Sequence, residues 1–480
     1  MLRDYQWTDS LIPAGPLVIP RARALIRESN LAAGRRLLVI DDDPTGSQTV
    51  HDVDAVLTID PEVIARSLEP PGATCFVLTN SRSLSKKEAF SLSFRLGELA
   101  ALIERQAGGR VEIISRSDST LRGHLRAEIT ALSHARHAAG QPSYDGILLV
   151  PSYFEAGRFT AGDVHWAQVR GQTVAVGQTE FARDSSFGFS SSELPRFVEE
   201  KYDGAIGARQ VRCVSLEDIR RGGPERVAAL LTDLPAGAGT YVAVNGIEYA
   251  DLDVVTLGVQ RAEAAGRSFL YRSGPSFVQS FAGLEPRGAL APAAARPDRR
   301  PGHGLVVVGS HVGLTTRQVE RLLAPGDVTE VTVDARDMLG GPGPALGAEV
   351  AKAAALVRDA LDDQDVVLMT SRKLITGADA AASLGIARAV SAGLVAVVAE
   401  VARRPLPWIV TKGGITSHDV LARALRIRRA QVIGQLFPGF VSVLRPVDAR
   451  PEMVGTPCVV FAGNVGDESS LRAAVEILRG

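Results

Sequence analysis

Cysteine is scarce in this chain. Cys75, Cys213 and Cys458 are the whole complement among 480 residues, each inside an apolar run and none in a C-x-x-C pair. A disulfide framework or a thiolate zinc centre is thereby excluded, and a reducing compartment suits the thiols. A charge excess of either sign is also missing. Lys and Arg number 53 against 54 Asp and Glu, so the net charge of −1 offers no electrostatic reason for a nucleic-acid or membrane partner. No uninterrupted apolar run approaches the roughly 18 residues of a membrane span. Even the stretch from Gly393 to Val401 carries Glu400 and is followed by Arg403-Arg404. The first ten residues, MLRDYQWTDS, lack the apolar core of a signal peptide, so the expectation is a cytoplasmic protein. Neither G-x-x-x-x-G-K-[ST] nor G-x-G-x-x-G occurs, which removes the P-loop and the dinucleotide fingerprint.

What remains is an ordinary globular composition, 45% apolar and 22% charged, on a chain too long for one core. After a helical lead-in to about residue 34, apolar strands recur at Arg36 to Ile40, Thr74 to Thr79, Val111 to Ile114 and Gly146 to Val150. Each ends in polar residues and is followed by a helical pattern, which predicts a mainly parallel α/β sheet with its ligands beyond the strands' carboxyl ends. Residues 157–184 are rich in glycine and polar residues and read as a loop or hairpin over that edge, with Arg158, Thr160, His165 and Glu180 as possible ligands. For His165, beside Trp166, a packed or surface histidine is the preferred reading. Further strands are expected at Arg209 to Val214, Gly239 to Val244 and Ser268 to Tyr271. Residues 286–303, PRGALAPAAARPDRRPGH, have no period and read as a linker. Beyond them a second α/β unit is expected, with strands at Gly304 to Val308, Val328 to Val333, Val366 to Met369, Trp408 to Val410 and Cys458 to Phe461 and helical stretches between them. Thr315 and Gln318 have the spacing of a capping box. The predicted organisation is a first domain over 1–285, a linker over 286–303 and a second domain over 304–480, two α/β domains with mainly parallel sheets facing an interdomain crevice.

Two groups of motifs carry chemistry. In the first half, Asp41-Asp42-Asp43 follow a buried strand, and like charges so close raise one another's pKa. Such a cluster holds a cation, a polyol or a mobile proton, or is a capped Asp-Pro turn. The stretch SRSDSTLRGHLRAEI, from Ser115 to Ile129, runs from strand to helix through two arginines, an aspartate and four hydroxyls. It reads as an anion site at a helix start, or as a helix capped by Ser119 or Thr120 with solvated arginines. In the second half, three strand-to-helix joints carry glycine: Gly309-Ser310, Gly413-Gly414-Ile415-Thr416 and Gly463-Asn464-Val465-Gly466. Glycine there lets phosphate oxygens approach the backbone, and three such joints in one domain favour a nucleotide site.

Asp42-Asp43-Pro44-Thr45-Gly46, Arg116-Ser117-Asp118-Ser119-Thr120-Leu121-Arg122-Gly123, Gly157-Arg158-x-Thr160, Lys412-Gly413-Gly414-Ile415-Thr416 and Gly463-Asn464-Val465-Gly466 together resemble the signature stretches of the four-carbon acid sugar kinases. The likeness runs from about residue 36 to 478. It implies a sugar-acid-binding N-terminal domain, an ATP-binding C-terminal domain and transfer of the γ-phosphoryl to a hydroxyl of erythronate, threonate or a 3-oxo-tetronate. Carried over by motif, Ser310, Gly413, Gly414, Ile415, Thr416 and Gly463 would contact ATP, while Asp42, Arg82, Arg116, Asp118 and Arg158 would line the sugar-acid site. Asp43 is expected to accept the hydroxyl proton, and Arg122 to hold the substrate carboxylate or the transferring phosphoryl. Mg²⁺ is expected with ATP, held by phosphates and water, with no protein ligand named. The chain departs from the family's habit at Asp41, where alanine is usual, and at Arg116, where lysine is usual. Ile415 stands where glutamate is common. The partners expected are a small sugar acid and ATP, with no nucleic acid or membrane, and the chain is compatible with a homodimer. Two other readings stay open: a metal-dependent sugar-acid aldolase or dehydratase, and a non-catalytic sensor of sugar acid and nucleotide.

Overall fold

The computed structural model describes residues 5–43, 46–339, 344–371, 380–463 and 465–480. The motif residues Pro44, Thr45 and Asn464, and the side chain of Ile415, lie outside them. Among the described residues the strands are, in order, β1 (Arg36–Asp41), β2 (Val53–Val56), β3 (Thr74–Leu78), β4 (Val111–Arg116), β5 (Gly146–Val150), β6 (Arg158–Ala161), β7 (Val164–Val169), β8 (Gln172–Ala175) and β9 (Arg212–Val214). They continue with β10 (Thr240–Val244), β11 (Phe269–Ser273), β12 (Leu305–Val308), β13 (Val328–Val333), β14 (Asp365–Thr370), β15 (Ile409–Lys412), β16 (Arg429–Phe437), β17 (Phe440–Asp448) and β18 (Cys458–Phe461). The chain divides into two units, Met1–Val50 with Ile64–Pro286, and His51–Val63 with Arg287–Gly480.

The first unit is built on a parallel sheet in the order β3-β1-β4-β11-β5-β10-β9. Its central strands are buried along their whole length, which is why they read as unbroken apolar runs. The helices Lys86–Ala107 and Leu125–Ala138 cross closely because Gly97 lacks a side chain: a Cβ there would stand 2.6 Å from that of Ala135. The glycine-rich stretch after residue 157 forms a separate antiparallel ribbon, β6-β7-β8. Phe159 and Trp166 on this ribbon pack edge-on against Trp7 from the chain's beginning.

The second unit has a parallel block, β13-β14-β12-β15-β18, extended by antiparallel β17, β16 and β2. The α/β expectation holds for both units, but three features differ from the sequence reading. The β16–β17 hairpin turns at Pro438-Gly439, a turn dipeptide between two β-rich runs that were expected to be helical. Residues 51–63 pack with this unit rather than the first: β2 pairs with β16, and Asp54 and Asp60 reach Arg429 and Arg428. The proline-rich stretch 286–303 is no free tether. The Leu290 amide bonds to the Gln435 carbonyl at 2.8 Å, Ala295 is buried in the core, and Arg296 and Arg300 bond to the carbonyls of Leu478 and Glu452. Its lack of period reflects an irregular path over a surface, which composition does not distinguish from a linker.

Among the described residues no helix is long and apolar enough to cross a membrane.

Candidate functional site

In the first unit the parallel strands bring their carboxyl ends to one edge, where β3, β1, β4 and β11 lie side by side. β1 delivers Asp41, Asp42 and Asp43; Arg82 follows β3; β4 ends in Arg116 and leads to Asp118 and Arg122; β11 carries Arg272. Asp41, Asp42, Asp43, Arg82, Arg116, Asp118 and Arg122, all singled out in the sequence, meet at this edge, and the geometry divides them by partner.

Asp41 is fully buried, and its Oδ1 accepts from Arg116 Nη1 at 2.8 Å and from the Asp43 backbone N–H at 2.9 Å. Arg116 Nη2 donates to Gln48 Oε1 at 3.1 Å. The two departures from the family's habit are therefore partners, and Arg116 is engaged by Asp41. Burial pushes the Asp41 carboxyl up to about 6 against the pull of Arg116. Only glycine fits at position 46, where a Cβ would stand 1.7 Å from Asp41 Oδ2.

Asp42 is also buried, and neither of its carboxylate oxygens has a hydrogen-bond partner among the described residues. Burial raises it to about 7, although Arg82 Nε lies 3.3 Å from Oδ1. Gly123, at φ +116°, passes over it; a Cβ there would meet Asp42 Oδ2 and Arg272 Nη2 at 2.9 Å. Arg82 ties three acids together: it donates to Asp43 Oδ2 and sits 3.3 Å from Asp42 and 3.7 Å from Asp118. Beneath them Arg272 bonds to Ser115 Oγ and to Glu128, a buried pair that sequence reasoning did not single out.

Asp118 accepts from Thr120 Oγ1 and Arg122 Nε, each at 2.5 Å. Burial would raise its pKa, but Arg82 and Arg122 hold it down to about 2. The helix expected to open here starts later, at Leu125 with His124 before it. Residues 117–124 are a turn closed by the Leu121 N–H on the Asp118 carbonyl, with Leu121 at φ +66°. Ser119 and Thr120 are accordingly not its caps. His165 explains the turn's position. It is fully buried, its Nε2 is 2.7 Å from the Ser119 carbonyl and its Nδ1 2.9 Å from Thr160 Oγ1, and burial lowers it to about 4. It is a neutral brace between ribbon and turn.

Arg122 and Arg158 both stack on Phe181, at 5.0 and 5.7 Å from the ring centre. Nothing in the sequence marked Phe181 except its place in the polar ribbon stretch. Arg122 is well supplied with acids, Asp118 and, at 3.5 Å, Asp184. Arg158 is not. Its Nη1 donates to the Ala156 carbonyl, its buried Nε has no hydrogen-bond partner among the described residues, and burial lowers its pKa.

The second unit builds a different site from the same topology. β12, β15 and β18 are adjacent and parallel, so the joints after them meet. A Cβ on Gly309 would stand 1.8 Å from Thr416 Oγ1, one on Gly463 2.6 Å from Ser310 Oγ, and one on Gly413 3.2 Å from the Ser310 amide nitrogen. Gly413 has φ +116°, a conformation costly for other residues. Five of the six residues expected to contact ATP thus lie on converging joints: Ser310, Gly413, Gly414, Thr416 and Gly463. Thr315 and Gln318 do not form a capping box. They lie inside the helix Gly313–Leu323, with Thr315 Oγ1 2.9 Å from the Gly463 carbonyl and Gln318 Nε2 donating to the Val465 and Asp467 carbonyls at 3.1 and 2.6 Å. Lys412, quoted in the sequence only as part of its motif, is fully buried at the end of β15. Its Nζ donates to the Ala462 carbonyl at 2.7 Å and lies 3.7 Å from the centre of the Phe461 ring.

The first site is dense in interleaved charge and suits a small polyhydroxy anion. The second brings glycines and the hydroxyls of Ser310, Thr315 and Thr416 together and suits oxygens that approach a backbone. Among the described residues no cluster of three or more His, Cys, Asp or Glu has the geometry of a metal site.

Known proteins divide in the same way. A family model described as a sugar-binding N-terminal domain matches residues 37–281, and one described as a nucleotide-binding C-terminal domain matches residues 305–471. A D-threonate kinase of Salmonella typhimurium is 28% identical over 353 residues, 70% of this chain and 72% of that protein. The fold is shared with a solved Salmonella typhimurium LT2 protein (TM-score 0.67, 17% identity, 92% of this chain and 98% of that one). It is also shared with a Haemophilus influenzae protein of family DUF1537 (TM-score 0.63, 17% identity, 92% of this chain and all of that one).

Proposed function

Since the chain belongs to the four-carbon acid sugar kinase family, we propose that it transfers the γ-phosphoryl of ATP to a hydroxyl of a four-carbon sugar acid. The observation that carries the reading is the convergence of Gly309, Gly413 and Gly463, whose missing side chains let the strand-to-helix joints after β12, β15 and β18 come together. The 28% identical D-threonate kinase supports D-threonate as the first substrate to try.

Arg158 is the better supported reader of the substrate carboxylate. Among the described residues its Nε has no hydrogen-bond partner and no carboxylate lies within ion-pair range of it, whereas Arg122 and Arg82 are already held by aspartates. Phe181 holds the guanidinium of Arg158 on the same ring as that of Arg122, so the two cations can serve one substrate. Asp43 is the accessible member of the acid run and takes the hydroxyl proton. The hydroxyl oxygen bonds to the γ-phosphorus, the bond to the departing ADP oxygen breaks, and the proton passes to the Asp43 carboxylate. Asp42, beneath it and with its carboxyl pushed up by burial, stays close to Arg82. In the second unit Ser310, Gly413, Gly414, Thr416 and Gly463 hold the nucleotide, whose phosphates bring Mg²⁺ with them.

The metal-dependent aldolase reading is disfavoured because the acids are interleaved with arginines that would repel a cation. A panel of four-carbon sugar acids incubated with ATP and read by ADP release tests the proposal. ADP formed with one acid supports it. Conversion of the acid without ATP would favour the aldolase, and binding of both ligands with no ADP would favour the sensor.

A further inference from the structure

One buried cation stands outside the scheme above. Lys412 closes β15 immediately before Gly413, and its side chain is fully enclosed. Its polar partner among the described residues is the carbonyl of Ala462, and it lies over the face of Phe461. Among the described residues no carboxylate lies within ion-pair range of it. Buried lysines are ordinarily paired, because an ammonium taken from water without a counter-ion is costly. Holding one carbonyl does not explain a charge, since a neutral donor would serve. What distinguishes the position is its neighbours: Lys412 precedes Gly413 in one joint and holds the residue before Gly463 in another.

We propose that Lys412 is the counter-charge of this cradle, and that it takes up a proton when a polyphosphate settles on the loops. The inference rests on the nucleotide reading of the second unit and extends it from the loops' shape to their charge. Burial pushes the Lys412 ammonium down to about 7. The titratable groups on neighbouring elements are His311 after β12, His418 and Asp419 in the turn after Gly414, and Asp467 and Glu468 after β18. None contributes to that shift, which burial alone causes. An arriving anion favours the charged form and raises the pKa, so protons are bound with the ligand. The same coupling makes affinity fall as pH rises, by up to about tenfold per unit between the two pKa values.

Calorimetric titration of the full chain with Mg²⁺ and ATP at pH 8, without sugar acid and in two buffers of different ionisation enthalpy, measures the proton count. The native protein, with a pKa of about 7, should take up roughly nine-tenths of a proton. Lys412→Arg, charged at every pH used, should bind ATP with no uptake and with affinity independent of pH from 7 to 9. Lys412→Met should also lose the uptake and bind more weakly at pH 7. The native measurement and the arginine variant decide the matter even where the methionine variant fails to fold. ATP binding with no uptake, or with the same uptake in Lys412→Arg, would overturn the inference and leave the nucleotide reading intact. Absence of ATP binding to the native chain would overturn both.

Discussion

The two candidate sites sit at the carboxyl ends of similar parallel sheets, yet one is made by adding side chains and the other by leaving them out. In the first unit, four aspartates and three arginines neutralise one another through contacts of 2.5 to 3.7 Å, and recognition depends on which donors remain unspent. In the second, three glycines stand where a single methyl group would collide with the opposite joint. The difference predicts opposite mutational behaviour. Charge-preserving changes should matter in the first site and volume-adding ones in the second.

The largest effect is expected from Asp43→Asn, which keeps volume and removes the proton acceptor. kcat should fall by about 10²–10⁴ with melting temperature unchanged. Near-native turnover would remove Asp43 from that role and leave the first site as a binding surface. Next comes Gly309→Val, whose side chain would land on Thr416. ATP affinity should weaken by at least about tenfold, with some loss of stability from overpacking, while sugar-acid affinity stays put. Equal damage to both ligands would blur the comparison. A smaller change should follow Arg158→Lys: KM for the sugar acid should rise by about tenfold because the planar fork is lost, and the matching neutral polyol should be indifferent. If Arg122→Lys gives that signature instead, the free donors of Arg158 do not read the carboxylate. The smallest effect concerns stability. The Asp42 carboxyl, about 7 in the fold against an ordinary 3.8, contributes stability that is full below pH 4 and lost as pH rises through 7. Asp42→Asn should therefore differ least from the native chain near pH 4, and melt a few degrees higher than it at pH 8. A difference that does not grow with pH would mean that Asp42 is paired in solution.

Much of this was legible before any fold was seen, and the failures have physical reasons. Apolar runs ending in acids, arginines or glycines located both sites, because a parallel sheet buries its strands on both faces and exposes only their ends. Pairing was not legible. Asp41 and Arg116 lie 75 residues apart, and only the β1–β4 register makes them partners. His165 carries no mark that separates a brace from a ligand until its two ring nitrogens are seen to be spoken for. The β16–β17 hairpin could have been found from Pro438-Gly439, but a helical expectation for the intervening stretch hid it. Phe181 and Lys412 draw their interest from what surrounds them, and a linear reading does not contain that.

The strand β2 has a consequence for how the protein is made. Asp54 meets Arg429 across 375 residues of chain. At about 5–20 residues per second, a ribosome that has just made β2 needs roughly 20 to 75 seconds more to supply its partner strand. Through that interval β2 has no β16 to pair with and presents an open edge. The polypeptide therefore cannot mature strictly from front to back, and a version cut into halves near residue 286 would leave β2 with the wrong fragment. Co-expressed halves should yield a complete second unit only when residues 51–63 travel with it.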